Sequence, residues 1–220
     1  MELSQLYLVG ISYSRNIKPF NIMVMGEVGS EKRIPIVIGD SEAQSIVNVL
    51  THARLSRPNT HDLMSNILDI CGLKLRNVVI YKMVNDIFYS RLIISKVNEE
   101  DKVMLVETRT SDAVALALRQ NVPVVATRDV LDAAPEVTDA DLHNLMSGDR
   151  DMIMNNDKPA VLDKKFLEFT TDGRRSAVKE NSLGGLSDDK LKDMIESAIS
   201  SENYELASKL KQEMDKRGLS

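Results

Sequence analysis

The sequence predicts an α+β protein in which a mixed β-sheet packs with helices and is followed by a C-terminal α-helical hairpin. Two observations predict the sheet: short apolar runs recur through residues 1–135, and turn residues separate them. A third observation predicts the helices, because amphipathic runs with helical spacing lie between and after the strands. With 220 residues, the chain has room for one main domain and a smaller element.

Apolar runs that combine β-branched or aromatic residues with flanking turn residues are predicted to be strands. They are Leu6–Ile11, Ile22–Met25, Arg33–Ile38, Asn77–Tyr81, Ile87–Ile94, Val103–Glu107 and Val122–Ala126. Pro35 lies in the third run and places it at an edge of the sheet or at a strand start, because proline cannot donate to a β-ladder.

Helices are predicted at three places in this region. The first runs from about Ser41 to Arg54, since Ser41 and Gln44 have the spacing of a capping box. The second has Thr60 as its N-cap and ends at Gly72. The third covers Ser111–Leu118, which follows the Val103–Glu107 strand.

The order of these elements suggests an internal repeat. Ser41-Glu42-Ala43 aligns with Ser111-Asp112-Ala113, and the same alignment places Ile22-Met23-Val24 over Leu92-Ile93-Ile94. Duplication of a β-β-β-α unit would explain this and would put the acidic residues of the two helix starts at related positions. Coincidence is the alternative, because apolar strands followed by a Ser-capped helix recur in many folds.

The last third of the chain differs in composition. Residues 136–186 carry 7 basic and 10 acidic side chains and are predicted to be an acidic connecting segment, with Ser182-Leu183-Gly184-Gly185 as a flexible joint. Residues 187–220 contain two amphipathic runs separated by Ser200-Ser201-Glu202-Asn203, which predicts a helical hairpin. So small a hairpin buries little apolar surface and should dock on itself or on a partner.

Composition excludes several kinds of site and location. Cys71 is the only cysteine, so an internal disulfide and a cysteine-rich zinc site are excluded, and a reducing compartment is the simplest location. No apolar run approaches the ~18 residues that span a bilayer, and the first residues lack a signal-peptide pattern. We therefore expect a cytoplasmic protein with no membrane anchor.

The charge distribution limits where a polyanion could bind. The formal net charge is -5, whereas residues 1–135 carry 15 basic and 15 acidic side chains. Only this region could present a neutral or locally basic surface to nucleic acid. Aromatic residues make up 4% of the chain, so extensive stacking on single-stranded nucleic acid is not available.

The most informative local pattern is the stretch from Arg57 to Asp62. Neither a P-loop nor the G-x-G-x-x-G, H-E-x-x-H and G-x-S-x-G motifs occur in the sequence. Arg57 could clamp a phosphate near the predicted helix start, and His61 could act as a general acid or base. Asp62 could hold a divalent cation or orient His61. The structural alternative is that Asp62 favours the helix dipole while His61 caps or packs.

Further carboxylates occur at the other two helix starts. Glu107 and Asp112 offer oxygens to Mg²⁺ or Mn²⁺, and Arg109 between them offers a bidentate fork. Asp40 and Glu42 lie at the first helix start. Two-metal hydrolysis needs several convergent carboxylates, so these groups could act only if the fold brings them together. Capped helices with surface ion pairs are the alternative.

Successive motifs resemble the bifunctional nuclease (BFN) domain family. They are Ile34–Ala43, Arg57–Leu63, Phe88–Leu92 and Thr110–Ala117, and the resemblance covers about residues 1–135. It implies an α+β domain and a nuclease activity reported for some members against both RNA and DNA. The family pattern usually reads Arg-Pro-Ser-Asp before the last helix, whereas this chain has Arg109-Thr110-Ser111-Asp112.

Residues 187–220 resemble the UVR motif, the hairpin shared by the excision-repair B and C subunits and some protease-associated adaptors. Glu202–Ala207, Leu210 and Glu213 carry the likeness, although Ser208 stands where alanine is common. The resemblance implies protein–protein contacts.

Together these patterns lead to the hypothesis of a metal-dependent nuclease that cleaves DNA, RNA or both. Its catalytic residues are expected to be His61 as general acid or base, Asp62, and Arg57 and Arg109 as phosphate clamps. The expected ligands of the divalent cation, Mg²⁺ or Mn²⁺, are Glu42, Asp62, Glu107 and Asp112. The hairpin is expected to bind a protein partner or a second copy in a homo-oligomer.

The competing hypothesis is a non-catalytic regulatory or scaffold module that binds nucleic acid or protein. The acidic balance, the scarcity of aromatic residues and the lack of a standard nuclease motif favour it.

Overall fold

The computed structural model describes residues 2–14, 21–138, 140–141 and 150–163, and within them the predicted α+β class and mixed sheet are confirmed. The strands are β1 (Leu3–Ser14), β2 (Asn21–Glu27), β3 (Arg33–Ile38), β4 (Leu73–Val84), β5 (Ile87–Lys96), β6 (Glu99–Arg109), β7 (Val124–Thr127) and β8 (Arg150–Met154). The helices are α1 (Asp40–Leu50), α2 (Thr60–Ile70), α3 (Thr110–Gln120) and α4 (Arg128–Ala133).

The strands form one sheet in the order β3-β2-β1-β7-β4-β5-β6, and β8 also pairs with β1. All pairs are antiparallel except β4 with β7, which is parallel. Pro35 lies in β3 at one end of this order, as its missing backbone donor predicts.

The long first strand joins several neighbours. Leu3–Leu6 of β1 pair with β7, and Gly10–Ser14 pair with β8 on a later part of the same strand. Gly10 is required where β8 approaches, because a Cβ at this position would lie 2.5 Å from the carbonyl oxygen of Ile153. We predicted no strand in 136–186, so β8 is a difference from the sequence interpretation.

The helices cover one face of the sheet. Val78 and Ile80 of β4 belong to the main core together with Ile46 of α1 and Leu116 of α3. Val79 alternates with them along the strand and packs in a separate small core with Ile93, Val103 and Val125. The alternation therefore separates a helix-covered face from an opposite face, and the side chains of the candidate site divide between these two faces.

The predicted helix caps were wrong in detail. α1 begins at Asp40 after Gly39, and no side chain caps it, so the expected Ser41–Gln44 capping box does not form. The N-cap of α2 is Asn59 rather than Thr60, because Asn59 Oδ1 accepts from the Asp62 backbone N–H while an Asp62 oxygen accepts from the Asn59 N–H. Each helix start differs by only one residue from the prediction.

The predicted hairpin over 187–220 lies outside the described residues. In the part of the chain that the structure describes, no helix is long and apolar enough to cross a membrane.

Candidate functional site

The first turns of α1, α2 and α3 line one cavity of about 420 Å³. Its polar lining includes Glu42 from α1, His61 from α2, and Arg109 and Asp112 from the start of α3. Free backbone N–H groups and the positive ends of the helix dipoles favour anions at helix starts. The fold thus brings together four of the predicted site residues where negative charge is favoured.

Arg109 connects the two carboxylates of this cavity. Its Nη2 lies 2.6 Å from Glu42 Oε1, and its Nε lies 2.8 Å from Asp112 Oδ2. A second bond of 3.2 Å runs from Nη2 to Asp112 Oδ1. Hydrogen bonds to Asp112 and Glu42 raise the pKa of Arg109, which stays charged. The Arg109 side chain is still 69% exposed, and its Nη1 makes no hydrogen bond within the described residues.

Glu42 is buried and ionised at neutral pH. Burial alone raises the pKa of Glu42, but hydrogen bonds from its own backbone N–H, Arg109 and Ser41 outweigh burial and lower the pKa below its ordinary value. Gly39 makes room for this carboxylate, because a Cβ on Gly39 would collide with Glu42 Oε2. The carboxylate is thus held beside Arg109 as a fixed negative charge.

His61 is buried between two partners. Its Nε2 lies 3.1 Å from Asp112 Oδ1, and its Nδ1 lies 2.8 Å from Ser45 Oγ. An ionised carboxylate can only accept, so Nε2 carries the proton in neutral His61 and Nδ1 accepts from the Ser45 hydroxyl. This tautomer follows from the partners of the ring. Both ring nitrogens are therefore engaged within the protein.

Ser45 and Asn59 are site residues that sequence reasoning missed. Both line the cavity, and Asn59 Nδ2 lies 3.4 Å from Ser45 Oγ. Ser45 is buried at the position three residues after Glu42 on α1, so the two polar side chains share one helix face. Polar residues repeated at helical spacing beside an apolar stripe were the signal that could have identified Ser45.

Asp62 lies outside this cavity, and its contacts stabilise the fold. Its Oδ1 lies 2.6 Å from Nε of Arg119, and its other oxygen completes the α2 capping box. Burial raises the pKa of Asp62, but hydrogen bonds from Arg119 and the Asn59 backbone outweigh it, so the pKa is lowered. Arg119 is 8% exposed and also donates to the carbonyls of Ala115 and Ser45. The pair ties α1, α2 and α3 together.

Arg57 lies in the segment between α1 and α2 and outside the cavity at the three helix starts. It lines a neighbouring cavity of about 500 Å³ with His52, Asp62 and Arg119, and it does not line the cavity that contains Arg109. The structure therefore does not bring the two predicted phosphate clamps, Arg57 and Arg109, to one place.

Glu107 is also separated from the other carboxylates. Arg91 lies directly opposite it on β5, and Glu107 accepts from Arg91 and from the Tyr81 hydroxyl at 2.7 Å. The Arg91 guanidinium stacks 3.8 Å from the centre of the Tyr81 ring. Burial raises the pKa of Glu107, but hydrogen bonds from Tyr81 and Arg91 lower it overall. Tyr81 packs on the small core of the opposite sheet face, so Glu107 belongs to that face.

Only two of the four predicted metal ligands line the same cavity. Across residues 2–14, 21–138, 140–141 and 150–163, no group of three or more His, Cys, Asp or Glu side chains is placed to hold a metal ion. Glu42 and Asp112 alone share a cavity, and both are bonded to Arg109. Two carboxylates fit Mg²⁺ or Mn²⁺ when water and substrate phosphate supply the remaining oxygens. A cation at these oxygens would compete with Arg109.

Comparison with known proteins places residues 23–139 in a family. The family model described as "Bifunctional nuclease domain" matches residues 23–139, which contain the side chains that line the cavity at the three helix starts. An uncharacterized protein of Mycobacterium tuberculosis is 33% identical over 131 residues, which cover 59% of this chain and 74% of that protein.

Plant relatives have names that state an activity. Bifunctional nuclease 1 of Oryza sativa subsp. indica is 28% identical over 117 residues, which cover 53% of this chain and 35% of the rice protein. Bifunctional nuclease 1 of Arabidopsis thaliana is 24% identical over 103 residues, which cover 47% of this chain and 32% of that protein. The chain thus spans about a third of the length of these plant relatives. Through the match over residues 23–139, the chain belongs to the bifunctional nuclease domain family.

Proposed function

We propose that this protein is a nuclease that hydrolyses phosphodiester bonds in the cavity at the three helix starts. The observation that carries the proposal is Arg109, whose guanidinium is fixed by Glu42 and Asp112 and keeps unbonded Nη1 donors within the described part of the chain. Family membership and the names of the plant relatives support nucleic acid as the substrate.

Arg109 would bind the scissile phosphate. A guanidinium presents donors in a planar fork that matches phosphate oxygens, and its charge stabilises the additional negative charge of the transition state. Before a cation binds, the two carboxylates hold the fork in one orientation. Its large exposure allows a polymer to reach it.

His61 would move a proton during cleavage, with Asp112 holding the ring. Asp112 accepts from Nε2 and stabilises the charged imidazolium. As a general base, Nδ1 would take the proton of the attacking water, which replaces Ser45 at this nitrogen, and the imidazolium would return a proton to the leaving oxygen as the P–O bond breaks. Ser45 is thus a positioning residue, because its hydroxyl is hydrogen-bonded to Nδ1 before substrate binds.

The proposed cofactor is Mg²⁺ or Mn²⁺, held by Glu42 and Asp112. A divalent cation supplies charge neutralisation at the phosphate and lowers the pKa of a bound water. Asp62 and Glu107 are outside the proposal as ligands, because Asp62 pairs with Arg119 and Glu107 pairs with Arg91 on the other sheet face.

The direct test incubates purified protein with labelled single-stranded DNA and RNA in Mg²⁺, in Mn²⁺ and in EDTA. We expect fragments in at least one metal condition and none in EDTA. Intact substrate in every condition, with folded protein confirmed by circular dichroism, would contradict the proposal.

A non-catalytic nucleic-acid-binding module is a second candidate. It is favoured by one observation, namely that both nitrogens of His61 are bonded within the protein. Binding without cleavage would support it. The binding constant would then fall steeply with salt concentration, because phosphate contacts release counterions.

The proposal also includes a role for 187–220 as a UVR-like hairpin that binds a protein partner or joins two copies. Removal of 187–220 should change the number of copies in the assembly measured by sedimentation, or the set of captured partners, and leave cleavage unchanged. An unchanged number of copies together with an unchanged set of captured partners would count against it. We further propose a cytoplasmic location, which the free and exposed Cys71 suits and cell fractionation would test.

The internal duplication is likewise a proposal. The order β3-β2-β1-β7-β4-β5-β6 supports it, because β1, β2 and β3 mirror β4, β5 and β6 about β7. Under this proposal, Glu42 and Asp112 are equivalent first-turn residues. If separately refolded halves 1–55 and 72–138, the second of which includes β7, fail to associate into a folded complex, the duplication loses its physical support.

A further inference from the structure

A second cavity adjoins the proposed phosphate site. It has a volume of about 340 Å³ and shares Arg109 with the first cavity. The walls come from β3, the β4–β5 turn and the start of α3. The residues used below are Val37, Gly39, Ile87, Phe88 and Ser111.

One wall of this cavity is apolar although it faces solvent, and polar residues that include Asp86 and Thr110 line the rest. Val37 is 66% exposed and Ile87 is 58% exposed, and Phe88 is half-buried beside them. Ser111 adds a hydroxyl that makes no hydrogen bond in the described part of the chain, so it can pair with a ligand. An apolar wall beside a few polar groups is typical of a site for a small organic ligand.

Because Arg109 lines both cavities, the ligand of the second cavity is expected to carry a phosphate next to its ring. A molecule that places a phosphate on Arg109 reaches the second cavity without leaving the surface of that side chain. A nucleotide has this combination, because its base is linked to its phosphate through one sugar. Bases of every type have an apolar face, so such contact tolerates many sequences.

We propose that the cavity lined by Val37, Ile87 and Phe88 binds the base of a nucleotide adjoining the phosphate held by Arg109. This inference rests on the proposed function and deepens it by assigning the substrate's base to a site. Together the two cavities predict that the protein distinguishes a nucleotide with a base from an abasic nucleotide.

The test measures binding and cleavage of two labelled oligonucleotides, one normal and one with abasic tetrahydrofuran residues at its centre. The variant Val37→Asn/Ile87→Asn changes two exposed residues of the cavity. The variant Val97→Asn/Ile70→Asn is a matched control, because these residues are also exposed and do not line the cavity. Fluorescence anisotropy gives Kd, and gels give the cleavage rate.

The wild-type protein and the control should bind the normal oligonucleotide about tenfold more tightly than the abasic one. In the cavity variant, this ratio should fall towards one, with an unchanged Kd for the abasic oligonucleotide. Equal Kd values for the two oligonucleotides in the wild type would overturn the proposal, as would a ratio that survives in the cavity variant.

The outcomes separate this inference from the nuclease itself. A base-dependent Kd without cleavage would refute the nuclease and keep the base site. Cleavage at a rate that does not depend on the base, with equal Kd values for the two oligonucleotides, would refute the base site and keep the nuclease. If the cavity variant changes the molar mass in sedimentation while the control does not, the cavity is instead an interface between copies of the chain, and the base site is refuted.

Discussion

Nε2 of His61 lies 3.1 Å from Oδ1 of Asp112, although the two residues are 51 positions apart in the sequence. His61 is in the first turn of α2, and Asp112 is in the first turn of α3. The contact therefore depends on how the two helices pack over the sheet. It also joins His61 to Arg109, because Arg109 donates to both oxygens of Asp112.

Replacing Glu42 with glutamine should slow cleavage, whereas replacing Glu107 with glutamine should not. Glu42→Gln removes one of the two charges that orient Arg109, so cleavage should fall by at least about tenfold. Glu107→Gln should leave cleavage nearly unchanged, since Glu107 lies with Arg91 and Tyr81 on the other sheet face. Initial rates on one oligonucleotide decide this. Equal losses in both variants would show that the site is wrongly placed.

Arg109→Ala should strengthen binding of Mn²⁺ in the absence of substrate. The guanidinium occupies oxygens of Glu42 and Asp112 that a cation would need, and its positive charge repels the ion. Its removal should lower the Kd for Mn²⁺ by about tenfold. Electron paramagnetic resonance of free Mn²⁺ measures this directly. Asp112→Asn is the opposing variant and should raise the Kd, whereas a weaker or unchanged affinity in Arg109→Ala would refute the two-carboxylate site.

The pairing of Asp62 with Arg119 should make stability depend on acid pH. The pKa of Asp62 is lowered in the folded protein, so this carboxylate contributes stability above its unfolded pKa of about 4. The contribution is lost as pH falls through the lower, folded pKa. Asp62→Asn should therefore reduce Tm at neutral pH, and the difference from wild type should disappear in stronger acid.

Thermal unfolding between neutral pH and the acid range tests this sign. Asp69→Asn serves as the control, because Asp69 is exposed on the same helix and the substitution removes the same charge. A Tm difference for Asp62→Asn that grows as the solution becomes more acidic would contradict the assignment.

The strands and long helices were predictable because burial imposes a pattern on each of them. The predicted strand Arg33–Ile38 has the bounds of β3, and the other predicted strands lie inside or overlap the observed ones. β8 was missed because its apolar run is only the three residues Met152–Met154, and it forms by pairing with β1. α4 has only 6 residues, too few to show a helical period.

The site was less predictable than the fold. The sequence placed Glu42, His61, Arg109 and Asp112 at helix starts, but the contact between Arg109 and Glu42 spans 67 positions and depends on tertiary packing. Asp62 was assigned to catalysis without its partner Arg119, because a cation at the end of α3 has no local link to α2. The alternation of side chains along β6 indicated the position of Glu107, because Val103, Leu105 and Glu107 lie on the same face of the strand.

Asp112 accepts hydrogen bonds from both His61 and Arg109, and we propose that it organises the nuclease site in this way. The most direct measurement compares cleavage of one labelled oligonucleotide by wild type, Asp112→Asn and the control Asp69→Asn, with Tm recorded for each. We predict that Asp112→Asn loses about a hundredfold or more in rate while it remains folded and that Asp69→Asn keeps the wild-type rate. Wild-type cleavage by folded Asp112→Asn would contradict the account.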